Sequence, residues 1–192
     1  MEREVLITGI GGQGVQLAAQ VLARAATLEG REVMYLGLYG GMMRGGNTDS
    51  TVVIGDGPIA APPVVSRTWS AVAMHDEFWA PVAAKLRPGA LVLVNDSTFT
   101  TPINGDITVH RVPATETATD VGNTLAASLV MLGAYSALTG IVSCNALVDG
   151  MRESIPSYRT QHIESNERAL LAGWDLLPTN EHPAWERSAA HA

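Results

Sequence analysis

Short apolar segments alternate with segments of helical periodicity along the first two-thirds of the chain. Apolar runs bounded by glycine or polar residues predict buried strands, and six of them occur, at residues 4–8, 32–38, within 48–59, and at 70–76, 90–96 and 106–112. Leu17, Val21 and Leu22 recur at helical spacing after the first strand, and Gly30 is typical of a helix end. The pattern predicts a strand, a helix and then further strands.

Helical patterns dominate the rest of the chain. Residues 77–86 predict a helix in which Pro81 must cause a kink or lie in the first turn, and Gly89 is expected to end it before the next strand. The last third predicts three more helices, over about 117–138, 144–154 and 157–175. Ser143 is expected to be the N-cap of the second of these.

Strands that alternate with helices are typical of α/β proteins. We therefore expect one three-layer, Rossmann-like domain at residues 1–177, with a mostly parallel sheet covered on both faces and a helical C-terminal third. The periodicity is lost in residues 178–192, which contain two prolines and Trp185. This tail is expected to be either disordered or an arm laid on a partner.

Residues 121–148 carry no formal charge and are long enough to span a bilayer. Their Asn, Ser, Thr and Gly residues favour instead two buried helices joined at Thr139-Gly140. The first residues lack the basic and then apolar pattern of a signal peptide. We expect no membrane segment and a cytoplasmic location.

Composition excludes several classes of function. With 192 residues, one domain is expected, and the net charge of -7 argues against nucleic acid as a partner. Cys144 is the single cysteine, so neither an iron–sulfur cluster nor a structural zinc site is expected on this chain. Gly55-Asp56-Gly57 resembles the start of a thiamine diphosphate motif, but the later Asn pair is missing, so we predict a turn. No catalytic triad or carboxylate pair is found, and no catalytic or metal-ligating residue is predicted.

A glycine-rich turn follows the first strand, in the sequence ITGIGGQGVQLAAQ at residues 7–20. The spacing Gly9-x-Gly11-x-x-Gly14 lets the backbone approach a ligand and direct amide groups at it, while the helix dipole favours an anion. Gln13 adds a polar amide to this turn. The segment predicts an anion-binding loop, with a plain tight turn as the alternative.

The same spacing occurs in dinucleotide-binding proteins, which also need an acidic residue at the end of the second strand. Here that strand ends in YLGLYGG, without an acid. A free-standing nicotinamide- or flavin-binding protein is therefore disfavoured but stays open.

A second glycine-rich segment, YGGMMRGGNTDSTVVIG, covers residues 39–55. Arg44 lies between two glycine pairs, where a guanidinium suits the capture of phosphate or carboxylate; a solvated surface arginine is the alternative. Tyr39 is placed to stack on a planar group or to pack under the loop. If both loops lie at the carboxyl ends of the strands, they line one crevice.

Together these segments resemble the gamma subunit, or gamma domain, of 2-oxoacid:ferredoxin (acceptor) oxidoreductases of the pyruvate, 2-oxoglutarate and ketoisovalerate type. The resemblance rests on GIGGQG followed by YGGMMRGG, continues through VPATETATDVGNTLAASLVMLGA and ESNERALLAGW, and covers residues 4–175. Ser128 departs from the family pattern, in which an Asn usually precedes this apolar run.

The resemblance implies a noncatalytic subunit of an oxidoreductase that decarboxylates a 2-oxoacid and forms acyl-coenzyme A. Coenzyme A binding and subunit assembly would fall to this chain. Thiamine diphosphate, magnesium and iron–sulfur clusters would lie on alpha and beta partners, and on a ferredoxin-like delta chain where one is present, with ferredoxin or another acceptor taking the electrons. The isolated chain is expected to be inactive.

Carried over by position, the candidate ligand-binding residues are Gly11, Gly12, Gln13 and Gly14 in the first loop and Tyr39, Arg44, Gly45, Gly46 and Asn47 in the second. A purely structural scaffold, whose glycine loops pack on partner chains, is the remaining alternative.

Overall fold

The computed structural model describes residues 1–39, 45–60 and 64–185, except for the side chain of Tyr39. Its strands are β1 (Glu2–Ile10), β2 (Glu32–Tyr39), β3 (Asn47–Gly55), β4 (Thr68–Ala73), β5 (Leu86–Asn95) and β6 (Ile107–Val112). Its helices are α1 (Val15–Leu28), α2 (Trp79–Ala83), α3 (Ala114–Asp120), α4 (Ala127–Thr139), α5 (Cys144–Ser154) and α6 (Ile163–Trp174), with a 3₁₀ helix at Ser157–His162.

The strands form one sheet in the order β2-β3-β1-β4-β5-β6. β3 is antiparallel to both neighbours, whereas β1–β4, β4–β5 and β5–β6 are parallel pairs. Five strands therefore point the same way, and the prediction of a mostly parallel α/β sheet is confirmed.

Helices cover the two faces of the sheet unevenly. One face carries the larger core, to which α1 and α3 to α6 all contribute buried side chains. On the other face, in the described part of the chain, α2 and loop residues such as Val65 and Phe99 cover a smaller core. The expected three layers are present, but the layer on this second face is thin.

Helix packing in the C-terminal third depends on small residues. A β carbon on Gly133 of α4 would lie 2.1 Å from the Leu170 carbonyl oxygen, and one on Gly173 of α6 would lie 2.0 Å from that of Val130. The backbones of α4 and α6 therefore touch where the two helices cross.

The prediction of one helix over 117–138 is wrong. The chain forms α3 and α4 with a turn between them, because Gly122 has a φ of 77° that a right-handed helix cannot continue. Asn123 secures the turn by donating to Asn166 Oδ1 at 2.9 Å. Ser143 is the N-cap of α5, as predicted, since its hydroxyl accepts from the amide of Ala146.

The expected helix end at Gly89 is also wrong. α2 has only five residues, with Pro81 in its first turn, and β5 already begins at Leu86. Gly89 lies inside β5 at a φ of 74°, close to a register shift in the pairing with β4. The left-handed conformation of Gly89 therefore belongs to an irregularity in β5 and does not cap a helix.

Residues 178–185 lie on the chain itself, along the end of α4. The amides of Asn180, His182 and Ala184 donate to carbonyl oxygens of α4 at 2.7–3.0 Å. Trp185 donates to the Ile141 carbonyl at 3.0 Å, and the Arg31 guanidinium lies 3.8 Å from its ring centroid. Residues 186–192 are outside the described range, and the nature of the tail stays a prediction.

The uncharged stretch at 121–148 is divided between helices that separate at Gly140, as expected. Over the three described ranges, no helix is both long and apolar enough to cross a membrane.

Candidate functional site

The glycine loop, residues 11–14, connects β1 to α1 at the carboxyl edge of the sheet. β1 lies between β3 and β4 in the sheet. The strands that follow β1 in the chain, β2 and β3, are added on one side of it, and β4 to β6 are added on the other. In open α/β sheets such a switch point opens a crevice at the carboxyl ends of the strands, where ligands bind. The topology therefore places the loop where a ligand site is expected.

Gln13 spans this crevice. Its Oε1 accepts from the Ile10 amide at 2.9 Å, and its Nε2 donates to the Met74 carbonyl, just after β4, at 3.4 Å. The amide of Gln13 also donates to the Ile10 carbonyl at 3.1 Å. Gln13 thus holds the loop to both strands, and both polar atoms of its side-chain amide are used in hydrogen bonds within the protein.

Two glycines give the loop its shape. Gly12 has a φ of 106° and Gly14 a φ of 79°, a region that favours glycine. Gly14 is the N-cap of α1, and it has no side chain to cap the helix. A β carbon on Gly14 would also lie 2.4 Å from Ser128 Oγ, so the neighbouring helix α4 requires a glycine here.

The amide groups at this helix end have no acceptor among the described residues. This set comprises the N–H groups of Gly12, Gly14, Val15, Gln16 and Leu17. The first turn of α1 contains no acidic residue that would neutralise the helix dipole. Free N–H groups at the positive end of a helix form a binding site for an anion.

The second glycine-rich segment lies against the first. The Gly11 amide donates to the Gly46 carbonyl at 2.8 Å, and the Gly45 amide donates to the Gly11 carbonyl at 3.4 Å. The two loops therefore meet at the carboxyl edge, as expected. Tyr39 ends β2, and its side chain is not described; Arg44 lies outside the described residues.

Asn47 begins β3 opposite Ile10. Asp49 fixes its orientation, because Asn47 Nδ2 donates to Asp49 Oδ2 at 2.9 Å while Thr8 Oγ1 donates to Asp49 Oδ1 at 2.6 Å. Asn47 Oδ1 is buried and has no partner in the described part of the molecule. A buried, unpaired amide oxygen beside the loops is a free acceptor for a ligand group.

Asp76 organises the loop that follows β5 along the same edge. Its Oδ2 accepts from the amides and hydroxyls of Thr100 and Thr101, at 2.9–3.0 Å. These hydrogen bonds, led by that of the Thr100 amide, hold the pKa of Asp76 well below its usual range. Asp76 therefore stays ionised and fixes the wall of the crevice next to Met74.

The sheet order weighs against a nicotinamide or flavin site of the usual kind. In that fold the second strand lies beside the first and carries the ribose-binding acid at its end. Here β3 separates β2 from β1, and β2 ends in Leu38 and Tyr39. The glycine spacing of a dinucleotide-binding loop is therefore present without the strand order that dinucleotide-binding proteins have.

Within the described ranges, no group of three or more His, Cys, Asp or Glu side chains is placed to hold a metal ion. Burial, followed by the charge of Asp175, raises the pKa of Cys144 at the start of α5. A thiol of this kind is a poor nucleophile.

Comparison with known proteins settles the family. The model of the family described as "Pyruvate ferredoxin/flavodoxin oxidoreductase" matches residues 4–176. The chain belongs to this family. The resemblance to the gamma subunit, read from GIGGQG and YGGMMRGG, is confirmed.

Relatives in this family match nearly the whole chain. The 2-oxoglutarate synthase subunit KorC of Methanothermobacter thermautotrophicus is 35% identical over 92% of this chain and 96% of its own length. The gamma subunit of a keto/oxoacid ferredoxin oxidoreductase from Geobacter sulfurreducens PCA has a TM-score of 0.77 at 30% identity, over 90% of this chain and 96% of that chain.

A longer structure contains the same fold. The 2-oxoglutarate:ferredoxin oxidoreductase of Magnetococcus marinus, solved with 2-oxoglutarate, coenzyme A and succinyl-CoA, has a TM-score of 0.79 at 19% identity. The likeness covers 90% of this chain but 30% of that one, so here the fold is one part of a larger polypeptide.

Sequence reasoning missed three parts of this edge. The Met74 carbonyl is a backbone group and leaves no signal in the sequence. Asp76 could have been noticed as an acid directly after a strand. Ser128 was noted only as a departure from the family pattern, yet it lies beside Gly14.

Proposed function

We propose that this chain is the gamma subunit of a 2-oxoacid:ferredoxin oxidoreductase and that its glycine loop binds the diphosphate of coenzyme A. Family membership and near-complete coverage of gamma-type relatives support the first part. The second part rests on one observation: the uncapped N-terminus of α1, with its free amides, lies in the crevice between β1 and β4.

The two loops divide the task. Amides of Gly12 and Gly14 bind phosphate oxygens, and Gln13 keeps these amides in place through its bonds to Ile10 and Met74. Gly45, Gly46 and Asn47 form the opposite wall, with the Asn47 Oδ1 as an acceptor for an N–H of the ligand. Arg44 and Tyr39 belong to this wall by their position in the sequence.

The reaction itself takes place on partner chains. With one cysteine, this chain cannot supply the thiolates of an iron–sulfur cluster. Alpha and beta subunits, with a ferredoxin-like delta subunit where one exists, hold thiamine diphosphate, magnesium and the clusters, and pass electrons to ferredoxin or another acceptor. This chain positions coenzyme A for transfer of the acyl group.

Gly12→Ala tests the loop, because a β carbon there meets nothing within 4 Å in the structure and yet occupies the mouth of the site. In the enzyme reconstituted with its partners, KM for coenzyme A should rise about 10-fold or more, the effect of losing charge-assisted contacts. Gly105→Ala is the matched control, since its φ of 117° imposes similar strain in an exposed loop.

Equal KM values for the two variants would reject the coenzyme A site. If Gly12→Ala instead weakens subunit assembly at unchanged KM, the loop packs on a partner and the scaffold function holds. Arg44→Ala should raise the same KM, and Arg44→Lys should restore part of the loss, because an ammonium lacks the planar pair of donors.

A further inference from the structure

The loop that joins β5 to β6 carries an exposed Asn-Gly pair, Asn104 and Gly105. The chain is anchored on both sides of this pair. Ile103 packs against the smaller core, and the Asp106 carbonyl accepts from the Gly89 amide at 2.7 Å. The two residues between these anchors are therefore held at the surface in a defined place.

Neither member of the pair is protected by a hydrogen bond. Among the described residues, the Asn104 side chain and the Gly105 amide have no hydrogen-bond partner. Gly105 has a φ of 117° and no side chain that could shield its amide nitrogen. This nitrogen can therefore approach the side-chain carbonyl carbon of the asparagine that precedes it.

The other six asparagines of the chain lack this combination, since none of them precedes a glycine. Asn145 is also exposed, but it lies in α5, and the next amide, that of Ala146, donates to Ser143 Oγ at 3.3 Å. Asn95 is 1% exposed and donates to Thr115 Oγ1 at 2.9 Å. An exposed asparagine followed by a free glycine amide occurs only in the β5–β6 loop of the described chain.

We propose that Asn104 is a site of spontaneous covalent modification, at which it becomes aspartate or isoaspartate through a cyclic imide. The deprotonated amide nitrogen of Gly105 attacks Cγ of Asn104. A bond forms between that nitrogen and Cγ, the bond from Cγ to Nδ2 breaks, and ammonia leaves with a proton from the solvent. Water then opens the ring at one of its two carbonyl carbons, so the sum is the gain of water and the loss of ammonia, without oxidation or reduction.

The two products differ in what they do to the fold. Opening at Cγ gives aspartate, which changes the charge and leaves the backbone as it was. Opening at the main-chain carbonyl carbon gives isoaspartate, in which the backbone runs through Cγ and gains an extra atom between Ile103 and Ile107. Both isoleucines pack against the smaller core, so isoaspartate displaces part of the thin layer on the second face of the sheet.

The test incubates the folded full chain at pH 7 and at pH 9 and maps the mass increase in tryptic peptides. Asn104 and the buried Asn95 share the peptide 86–111, because the bond before Pro88 resists trypsin, and fragment ions tell the two apart. Asn104 should convert about 10-fold or more faster than Asn145, whose next amide is bonded. The rate should be higher at pH 9, since the attacking nitrogen must lose its proton. Labelling by an isoaspartyl methyltransferase identifies the isoaspartate fraction.

Two variants each remove one partner of the reaction. Asn104→Gln should abolish the modification of this loop, because its longer side chain closes a less favourable six-membered ring. Gly105→Ala should slow the modification about 10-fold or more, since a β carbon obstructs the approach of the nitrogen. Gly57→Ala, in a different turn, should leave the rate unchanged. Equal rates at Asn104 and Asn145 in the folded chain, or an undiminished rate in Gly105→Ala, would overturn the proposal.

Thermal unfolding separates the two products. The incubated wild type, once rich in isoaspartate, should melt about 2–4 °C below the fresh protein, the shift expected for modest strain in a domain of this size. Fresh Asn104→Asp carries the charge without the extra backbone atom and should melt as the fresh wild type does. Equal melting temperatures for the incubated wild type and fresh Asn104→Asp would overturn the displacement assigned to isoaspartate.

Discussion

Gln13 folds back over Gly9 so closely that a β carbon on Gly9 would lie 2.6 Å from Gln13 Oε1. The same β carbon would lie 2.9 Å from Cβ of Met74, which cannot rotate away. The first glycine of the pattern is thus required by the residue four positions later. This contact explains why a glycine stands one residue before the end of β1, next to the glycine loop.

Gly9→Ala should therefore lower the free energy of unfolding by about 1–3 kcal/mol, the usual cost of overpacking. It should also weaken the proposed binding of coenzyme A, because the displaced Gln13 no longer holds Ile10 and Met74. Urea unfolding measures the first effect. Gly57→Ala is the control, since a β carbon there meets nothing within 4 Å, and equal stabilities for the two variants would contradict this reading.

Asp76→Asn should remove a pH-dependent contribution to stability. The folded-state pKa of Asp76 is depressed, so its contribution is complete above the unfolded pKa of about 4 and is lost as the pH falls below it. At pH 7 the substitution should cost about 1.5–3 kcal/mol, the usual contribution of hydrogen bonds to a charged group. Thermal unfolding at pH 7 and pH 3 measures both effects.

The wild type should lose more stability than Asp76→Asn between these pH values. Asp106→Asn is a suitable control, because the exposed Asp106 side chain makes no described hydrogen bond. A pH dependence that survives in Asp76→Asn would place the titrating group elsewhere.

His110 should destabilise the protein in mildly acidic solution. Burial, followed by the charge of His182, lowers its pKa, while Glu181 acts in the opposite direction. A histidine with a depressed folded-state pKa favours the unfolded state once the pH falls below the unfolded value of about 6.5. Stability should therefore drop between pH 7 and pH 5, and less steeply in His110→Gln. The control is His162→Gln, at an exposed position. In this variant the fall in unfolding free energy between pH 7 and pH 5 should equal that of the wild type.

Tyr135→Phe should cost about 1 kcal/mol, since the buried Ser70 hydroxyl loses its 2.8 Å partner. Burial raises the pKa of Tyr135 far above neutrality, so the hydroxyl stays protonated and the cost should not vary between pH 6 and pH 9. Tyr158→Phe, at a side chain that is 73% exposed, should leave the unfolding free energy unchanged. A similar loss in both variants would show that the buried hydrogen bond contributes little.

Local patterns predicted the elements of the sheet and the position of the glycine loop, because apolar runs and glycine spacing act over a few residues. They also implied the meeting of the two loops, which the Gly11–Gly46 bond shows. The antiparallel direction of β3 could also have been predicted from the sequence, because the seven residues between β2 and β3 are too few for a crossover helix.

Other features depend on contacts between distant residues. The turn at Gly122 depends on Asn166, more than forty positions later in the chain. A local pattern does not include that partner, and the apolar periodicity alone therefore predicts one continuous helix. The fixed position of Gln13 likewise depends on the Met74 carbonyl, which no side-chain pattern reports.

Arg3 donates from Nε to the Ala184 carbonyl at 2.5 Å, so the first strand and the last described turn meet at one corner of the molecule. That corner lies at the start of β1, at the opposite edge of the sheet from the glycine loops. Within the described residues, the polypeptide therefore enters and leaves this domain at nearly one point, away from the crevice at the carboxyl ends of the strands. This geometry permits the described domain to be inserted into a longer chain at a point that lies away from the crevice.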